Sequence, residues 1–214
     1  MYLCPSTMCL DFCNLEKSIK ELEDAGIDIF HNDIMDGNFV PNITLGINDV
    51  KAIRQLTDKQ IDVHLMITNP KDKVDWFIDA GADIVYIHPE SGDQILETLK
   101  HIVDRNVSSG IAINPETSIE EIKHLLPYCD YVMVMSVHPG FAGQKFLEEV
   151  MPKIEELGKM KTDYHYILTM DGACSKEKII ECKALGVDGF VLGTSALFKQ
   201  NRPYNEIVKE LRKL

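Results

Sequence analysis

No run in this chain approaches the ~18 uninterrupted apolar residues of a membrane-spanning helix, and the opening residues MYLCPSTMCLDF lack the basic start and small-residue cleavage site of a secretory signal. The expected compartment is the cytoplasm, with no membrane partner. Basic residues are scarce: 22 Lys and Arg against 34 Asp and Glu leave a formal charge of −12, a field that repels nucleic acid and anionic surfaces. Nucleic acid is therefore not an expected partner, and any phosphate bound here must be held by local backbone dipoles. None of the six cysteines (Cys4, Cys9, Cys13, Cys129, Cys174 and Cys182) stands in a CxxC pair, which argues against a thiolate zinc site or a dithiol redox centre. They read as reduced, mostly buried small hydrophobes. No linker, low-complexity tract or shift of composition divides the chain, so 1–214 reads as one domain.

What the chain does have is alternation. Short β-branched runs at Leu3–Ser6, Ile27–Met35, Ile61–Met66, Ile84–His88, Gly110–Asn114, Tyr131–Val137, Tyr166–Asp171 and Gly189–Leu192 are separated by longer helical patterns, the mark of repeated βα units around a parallel sheet. Eight such units in 214 residues leave roughly 27 residues each, enough for a strand, two loops and a helix of a small single-domain (β/α)8 TIM barrel. A weak repeat supports the module: AGIDIF at 25–30, AGADIV at 80–85 and LGVDGF at 185–190 each put a glycine after a helical pattern and before a strand. Gly26, Gly81 and Gly186 are expected in the left-handed position that ends a helix, with no catalytic part.

Strands of a parallel barrel are buried on both faces, where an unpaired charge is costly. Four polar residues nevertheless fall toward the C-terminal ends of strands: His31 and Asp33 in IFHNDIMDG, His64 in IDVHLMI and Asp171 in YILTMDGA. Taken singly, each histidine reads as a satisfied core residue and each aspartate as a helix cap. Together they occupy three strand exits on the face where barrel active sites are built. His31 and Asp33, two apart, point to the same side of their strand. Two imidazoles and two carboxylates could then surround one divalent ion per subunit, a mixed N/O set suited to Zn, Mn, Fe, Co or Mg. A second signal is HPGFAGQKF at 138–146, where Gly140, Phe141, Ala142 and Gly143 form a small-residue loop that can approach a phosphate. Gly193, Thr194 and Ser195 offer the same at the last strand exit. Either loop alone reads as a plain turn; two on one mouth point to a phosphate site.

In order along the chain, HNDIMDGNFVPN, HLM, VMSVHPGFAGQKF and MDGA resemble the ribulose-phosphate 3-epimerase family, and the likeness runs from CPSTMCLD to GTSALF. Within that family CPSTMCLD, IHPES, INPET, PGFAGQ, DGAC and LGTSALF look closest to the branch acting on D-allulose 6-phosphate. His138, Ala142 and Ala173 stand where a ribulose-phosphate enzyme more typically has Asn, Gly and Gly, and Asn38 stands in place of the usual His of MDGHF. The resemblance implies metal ligation by His31, Asp33, His64 and Asp171, with Asp33 and Asp171 also catalytic. It implies substrate contacts from Ser6, His64, Gly172 and Ala173, a cavity lined by Met35, Met66 and Met135, and phosphate contacts from Gly140–Gly143 and Gly193–Ser195. The methionines equally suit plain core packing. A homo-oligomer, dimer or hexamer, is also implied.

The chemistry so implied is inversion at C3 of a 2-ketose phosphate, chiefly between D-allulose 6-phosphate and D-fructose 6-phosphate. One group removes the C3 proton, acidified by the C2 carbonyl, and another returns a proton to the opposite face of the enediolate. One base cannot serve both faces, whereas Asp33 and Asp171 together can, with the metal as Lewis acid. The alternative substrate is ribulose 5-phosphate, one carbon shorter, and a distant alternative is a noncatalytic sugar-phosphate-binding barrel. A related decarboxylase would place Asp-x-Lys-x-x-Asp at a strand exit, and the chain has none. Isomerase chemistry with a Glu base and no metal leaves both histidines unexplained.

Overall fold

The computed structural model describes residues 1–214. In chain order the strands are β1 Tyr2–Pro5, β2 Ile29–Asp36, β3 Ile43–Thr44, β4 Gln60–Met66, β5 Ile84–Ile87, β6 Ser108–Ile113, β7 Tyr131–Met135, β8 Ile167–Asp171 and β9 Gly189–Leu192. The helices are α1 Leu15–Ala25, α2 Ile47–Leu56, α3 Val74–Asp79, α4 Ile95–Asp104, α5 Ile119–Ile122, α6 Met151–Tyr164, α7 Lys176–Ala184 and α8 Tyr204–Leu211. All eight expected strands form, paired in parallel in the order β1-β9-β8-β7-β6-β5-β4-β2. The two ends of that series meet: a parallel bridge joins Ser6 to His31, and the Asp28 N–H donates to the Leu3 carbonyl at 3.0 Å. The sheet is thus closed into a barrel. Sequence periodicity did not indicate β3, a two-residue strand folded antiparallel onto the end of β2, because a pattern of period two is not readable over two residues. No helix is long and apolar enough to cross a membrane.

Alternation along each strand sorts the residues into two cores. Phe30, Ile61, Val63, Val85, Ile87, Val132, Leu168 and Phe190 face outward and pack under the helices. Ile29, Ile84, Tyr86, Ala112, Tyr131, Met133 and Val191 face inward and fill the barrel. Two residues further along the strands the same inward rows turn polar, with His31 and Asp33 on β2, His64 on β4 and Asp171 on β8.

The three-fold sequence repeat has a double function at the opposite end of the barrel. Gly26, Gly81 and Gly186 adopt φ of 88°, 104° and 105°, and the N–H of the next residue reaches back to the helix at Leu22, Phe77 and Cys182, closing a Schellman-type helix end. The aspartate two places on then accepts the first N–H of a neighbouring strand: Asp28 from Leu3, Asp83 from Ile61 and Asp188 from Leu168, at 2.8, 2.8 and 2.9 Å. Each carboxylate is paired with a cation, Arg212, Arg54 or Lys161. These aspartates set strand register on the stabilising face and leave the other face free for chemistry.

Candidate active site

The inward rows of β2, β4 and β8 deliver four donor atoms to one point. His31 Nε2 lies 3.1 Å from Asp33 Oδ1 and 3.9 Å from Asp171 Oδ2; His64 Nδ1 lies 3.3 and 3.7 Å from the same two oxygens. One ligand atom from each of the four residues falls within 4.8 Å of all the others. Bonds of 2.0–2.2 Å to a tetrahedral ion would separate neighbouring ligands by roughly 3.4 Å, the middle of the spacing observed. The charge balance fits as well. Asp33, Asp62 and Asp171 bring three carboxylates to two imidazoles in a buried site, a surplus that a divalent cation neutralises. The donor set therefore suits a metal. Ser6 Oγ donates to Asp33 Oδ2 at 2.7 Å and holds that carboxylate in plane with the cluster.

A row of polar groups behind the cluster went unassigned in the sequence reading. His31 Nδ1 sits 2.6 Å from Asp62 Oδ1, an oblique contact that aims the other ring nitrogen at Asp33 and Asp171. Asp62 and His64 are two apart on β4, as His31 and Asp33 are on β2, so the same period that found one pair was available for the other. His64 Nε2 meets His88 Nε2 at 2.8 Å, and His88 Nδ1 faces Glu90 Oε2 at 3.3 Å. His88 and Glu90 belong to IHPES, a phrase noted only for its resemblance.

Titration behaviour separates the two catalytic candidates. Burial presses the Asp171 carboxyl up, the Asp33 charge adds to it, and the group titrates at about 7. Burial acts on Asp33 in the same sense but is outweighed by His31 and then His64, which hold it well below the usual carboxylate range. Burial likewise lowers His31, yet Asp62 and Asp33 outweigh it and hold that imidazole protonated well above its ordinary range. His64 is lowered, by burial first and then the neighbouring His31 charge, with Asp33 opposing.

Above the cluster opens a cleft of about 550 Å³, a size that accommodates a small ligand. Ser6, Met35, Met66, Met135, Gly140–Gly143, Gly172, Ala173 and Gly193–Ser195, all expected at the substrate, line it together with Asp33 and Asp171. His64 does not: it is fully buried beneath the floor, so it can face the metal position but not the cleft. Sequence reasoning missed Met8, Cys9, His138 and Gln144, which also reach the wall. The loop at 138–144 presents its amides because its carbonyls are occupied. Asn42 Nδ2 donates to the Gly140 carbonyl at 2.8 Å, and Gln144 Nε2 donates to those of His138 and Phe141 at 2.6 and 2.8 Å. The N–H groups of residues 140–143 and 193–195 find no backbone acceptor, the arrangement an anion needs. Gly140 and Gly143, at φ of 124° and 82°, make the loop possible.

Comparison with known proteins agrees with this geometry. The chain is 37% identical over 211 residues to "Ribulose-phosphate 3-epimerase" of Bacillus subtilis (strain 168), covering 97% of this chain and 96% of that one. It is 38% identical over 212 residues to the chloroplastic "Ribulose-5-phosphate-3-epimerase" of Arabidopsis thaliana, covering 97% and 75%. Among solved structures, 3-hexulose-6-phosphate synthase superposes with a TM-score of 0.73 at 17% identity, covering 100% and 99%. A tryptophan synthase α-subunit mutant from Pyrococcus furiosus gives 0.72 at 12%, covering 100% and 98%. These two likenesses speak to the barrel alone. The sequence profile of the Ribulose-phosphate 3 epimerase family matches residues 2–198, nearly the whole barrel, and on that match this chain belongs to the ribulose-phosphate 3-epimerase family and is an isomerase.

Proposed function

We propose that the chain is a metal-dependent ketose-phosphate 3-epimerase whose substrate is ribulose 5-phosphate, with Asp33 and Asp171 as the two acid/base groups. The observation that carries the reading is the meeting of these carboxylates, from strands three places apart around the barrel, at the floor of a cleft whose far wall offers unpaired amides. The substrate phosphate rests on the amides of Gly140–Gly143 and Gly193–Ser195, which sets C3 over the pair. Near neutrality the pair shares about one proton, since Asp33 is held ionised while Asp171 titrates at about 7. The ionised carboxylate takes the C3 proton on its face, the protonated one delivers to the other face, and the return reaction exchanges the roles. Ser6 keeps Asp33 aimed, and Met35, Met66 and Met135 keep water from the reacting carbons. His31, Asp33, His64 and Asp171 would hold a divalent ion, which when bound supplies Lewis-acid polarisation of the C2 carbonyl.

Replacing either Asp33 or Asp171 with Asn should abolish exchange of the C3 proton with solvent deuterium; near-normal exchange in both variants would remove them from the chemistry. Ribulose 5-phosphate is favoured by relatives that share the whole length of the chain. A second reading, exchange of D-allulose 6-phosphate with D-fructose 6-phosphate, is favoured by His138, Ala142 and Ala173, which all line the cleft. His138 also pairs with Glu116 at 3.0 Å across the mouth. Assays with ribulose 5-phosphate and fructose 6-phosphate side by side decide it, the true substrate showing the larger kcat/KM.

A further inference from the structure

We propose that His88 and Glu90 are positioning residues that lock His64 in the tautomer whose Nδ1 lone pair faces Asp33 and Asp171; the proposal rests on the reading of that cluster as a metal site. The argument starts from proton counting along one line of buried atoms. His64 and His88 are both fully buried, their rings lie 25° apart in plane with centroids 5.0 Å apart, and only 2.8 Å separates the two Nε2 atoms. The nitrogens therefore lie almost on the line joining the rings, as a hydrogen bond requires, and one of them must carry the proton.

Two arrangements are possible, and Glu90 distinguishes them. In one, His64 carries its proton on Nε2 and donates to His88 Nε2; His88 then carries its own proton on Nδ1, directed toward the Glu90 carboxylate at 3.3 Å. In the other, His88 donates to His64, and the bare Nδ1 of His88 turns a lone pair toward a carboxylate, which is repulsive. Glu90 is fixed in place by the next loop, its Oε1 accepting from Thr117 Oγ1 and from the Asn114 N–H. Phe39 packs against the His88 ring at 4.9 Å between centroids and prevents it from turning away. The first arrangement leaves His64 Nδ1 unprotonated toward the cluster, the only state in which an imidazole can ligate a metal. His88 itself has no route to the ion, because its Nε2 is directed at His64.

The test measures zinc affinity by chelator competition, and His64 ring tautomer by long-range 1H–15N NMR, in the wild type and in His88→Leu, His88→Gln and Glu90→Gln. Removing the acceptor (His88→Leu) or making it ambiguous (Glu90→Gln) should weaken zinc binding roughly 10–100-fold. Glu90→Gln should also convert the single Nε2–H tautomer of His64 in the metal-free protein into a mixture. His88→Gln, whose amide oxygen still accepts from Nε2–H, should recover most of the affinity, a rescue that a merely space-filling role would not predict. Should His88→Leu fail to fold, Glu90→Gln, at the half-exposed end of the line, decides alone. Wild-type affinity and tautomer in Glu90→Gln would overturn the relay while leaving the metal reading intact; a wild type that binds no zinc would overturn both.

Discussion

Replacing Asp171 with Asn should inactivate the enzyme yet stabilise its metal-free form. In the folded, metal-free protein this carboxyl titrates at about 7, against an ordinary value of 3.8, because burial and the nearby Asp33 charge both oppose its ionisation. Between those two values the native state holds a proton that the unfolded chain has lost, so νU − νN is negative and stability falls as pH rises from about 4 to about 7, then levels off. At 1.36 kcal/mol per pKa unit the whole fall is about 4 kcal/mol, of which about 3 kcal/mol lies between pH 5 and pH 7. Asn keeps the shape and cannot ionise. Urea unfolding of chelator-treated protein at pH 8 should therefore find Asp171→Asn more stable than wild type by up to about 4 kcal/mol, with the advantage shrinking toward pH 4. Saturating zinc or manganese should reverse the order, since only the wild type keeps all four ligands and gains from binding the ion in its native state. A metal-free variant less stable than wild type at pH 8 would refute the idea that unfavourable ionisation of Asp171 is built into the apo site.

Metal uptake should be strongly pH-dependent. A cation entering at pH 6 must displace the proton of His31 and that of Asp171, whereas at pH 8 only the former remains. Calorimetry in buffers of different ionisation enthalpy should count about two protons released at pH 6 and about one at pH 8, with apparent affinity falling roughly 10³-fold over that range; release of none at pH 6 would contradict the assignment of these ligands. Gln144→Leu should raise KM for the sugar phosphate by roughly tenfold with little change in kcat, because it frees the carbonyls of His138 and Phe141 to compete for the loop amides; an unchanged KM would separate this loop from the phosphate.

The strands were legible because β-branched runs of period two have one physical meaning in a two-sided sheet, and their ends moved only where a particular bond intervenes. β2 begins at Ile29 rather than Ile27 because the Ile27 N–H turns back to Leu22 to finish α1. β7 stops at Met135 because the Ser136 N–H and Oγ both turn to the Asp171 carbonyl. The four ligand candidates were legible for a different reason, that a charge at a buried strand end demands a partner. That criterion also covers Asp62 and His88, which are as buried as the ligands. What they lack is a visible destination: a histidine or aspartate that answers another side chain, rather than an ion or substrate, leaves no mark in spacing, because its partner is set by barrel closure between distant segments. Asn38 shows the same limit at the rim. Its amide donates to Thr68 Oγ1 at 2.9 Å, while Asp36 accepts from the Asn38, Phe39 and Thr68 N–H groups, so the loop after β2 is pinned to the loop after β4. These bonds hold Phe39 against His88 and so bear on His64 without touching it. Changes at residues 36–39 should therefore act on metal affinity through ring orientation, an effect that the motif MDGNF does not disclose and that the packing of Phe39 requires.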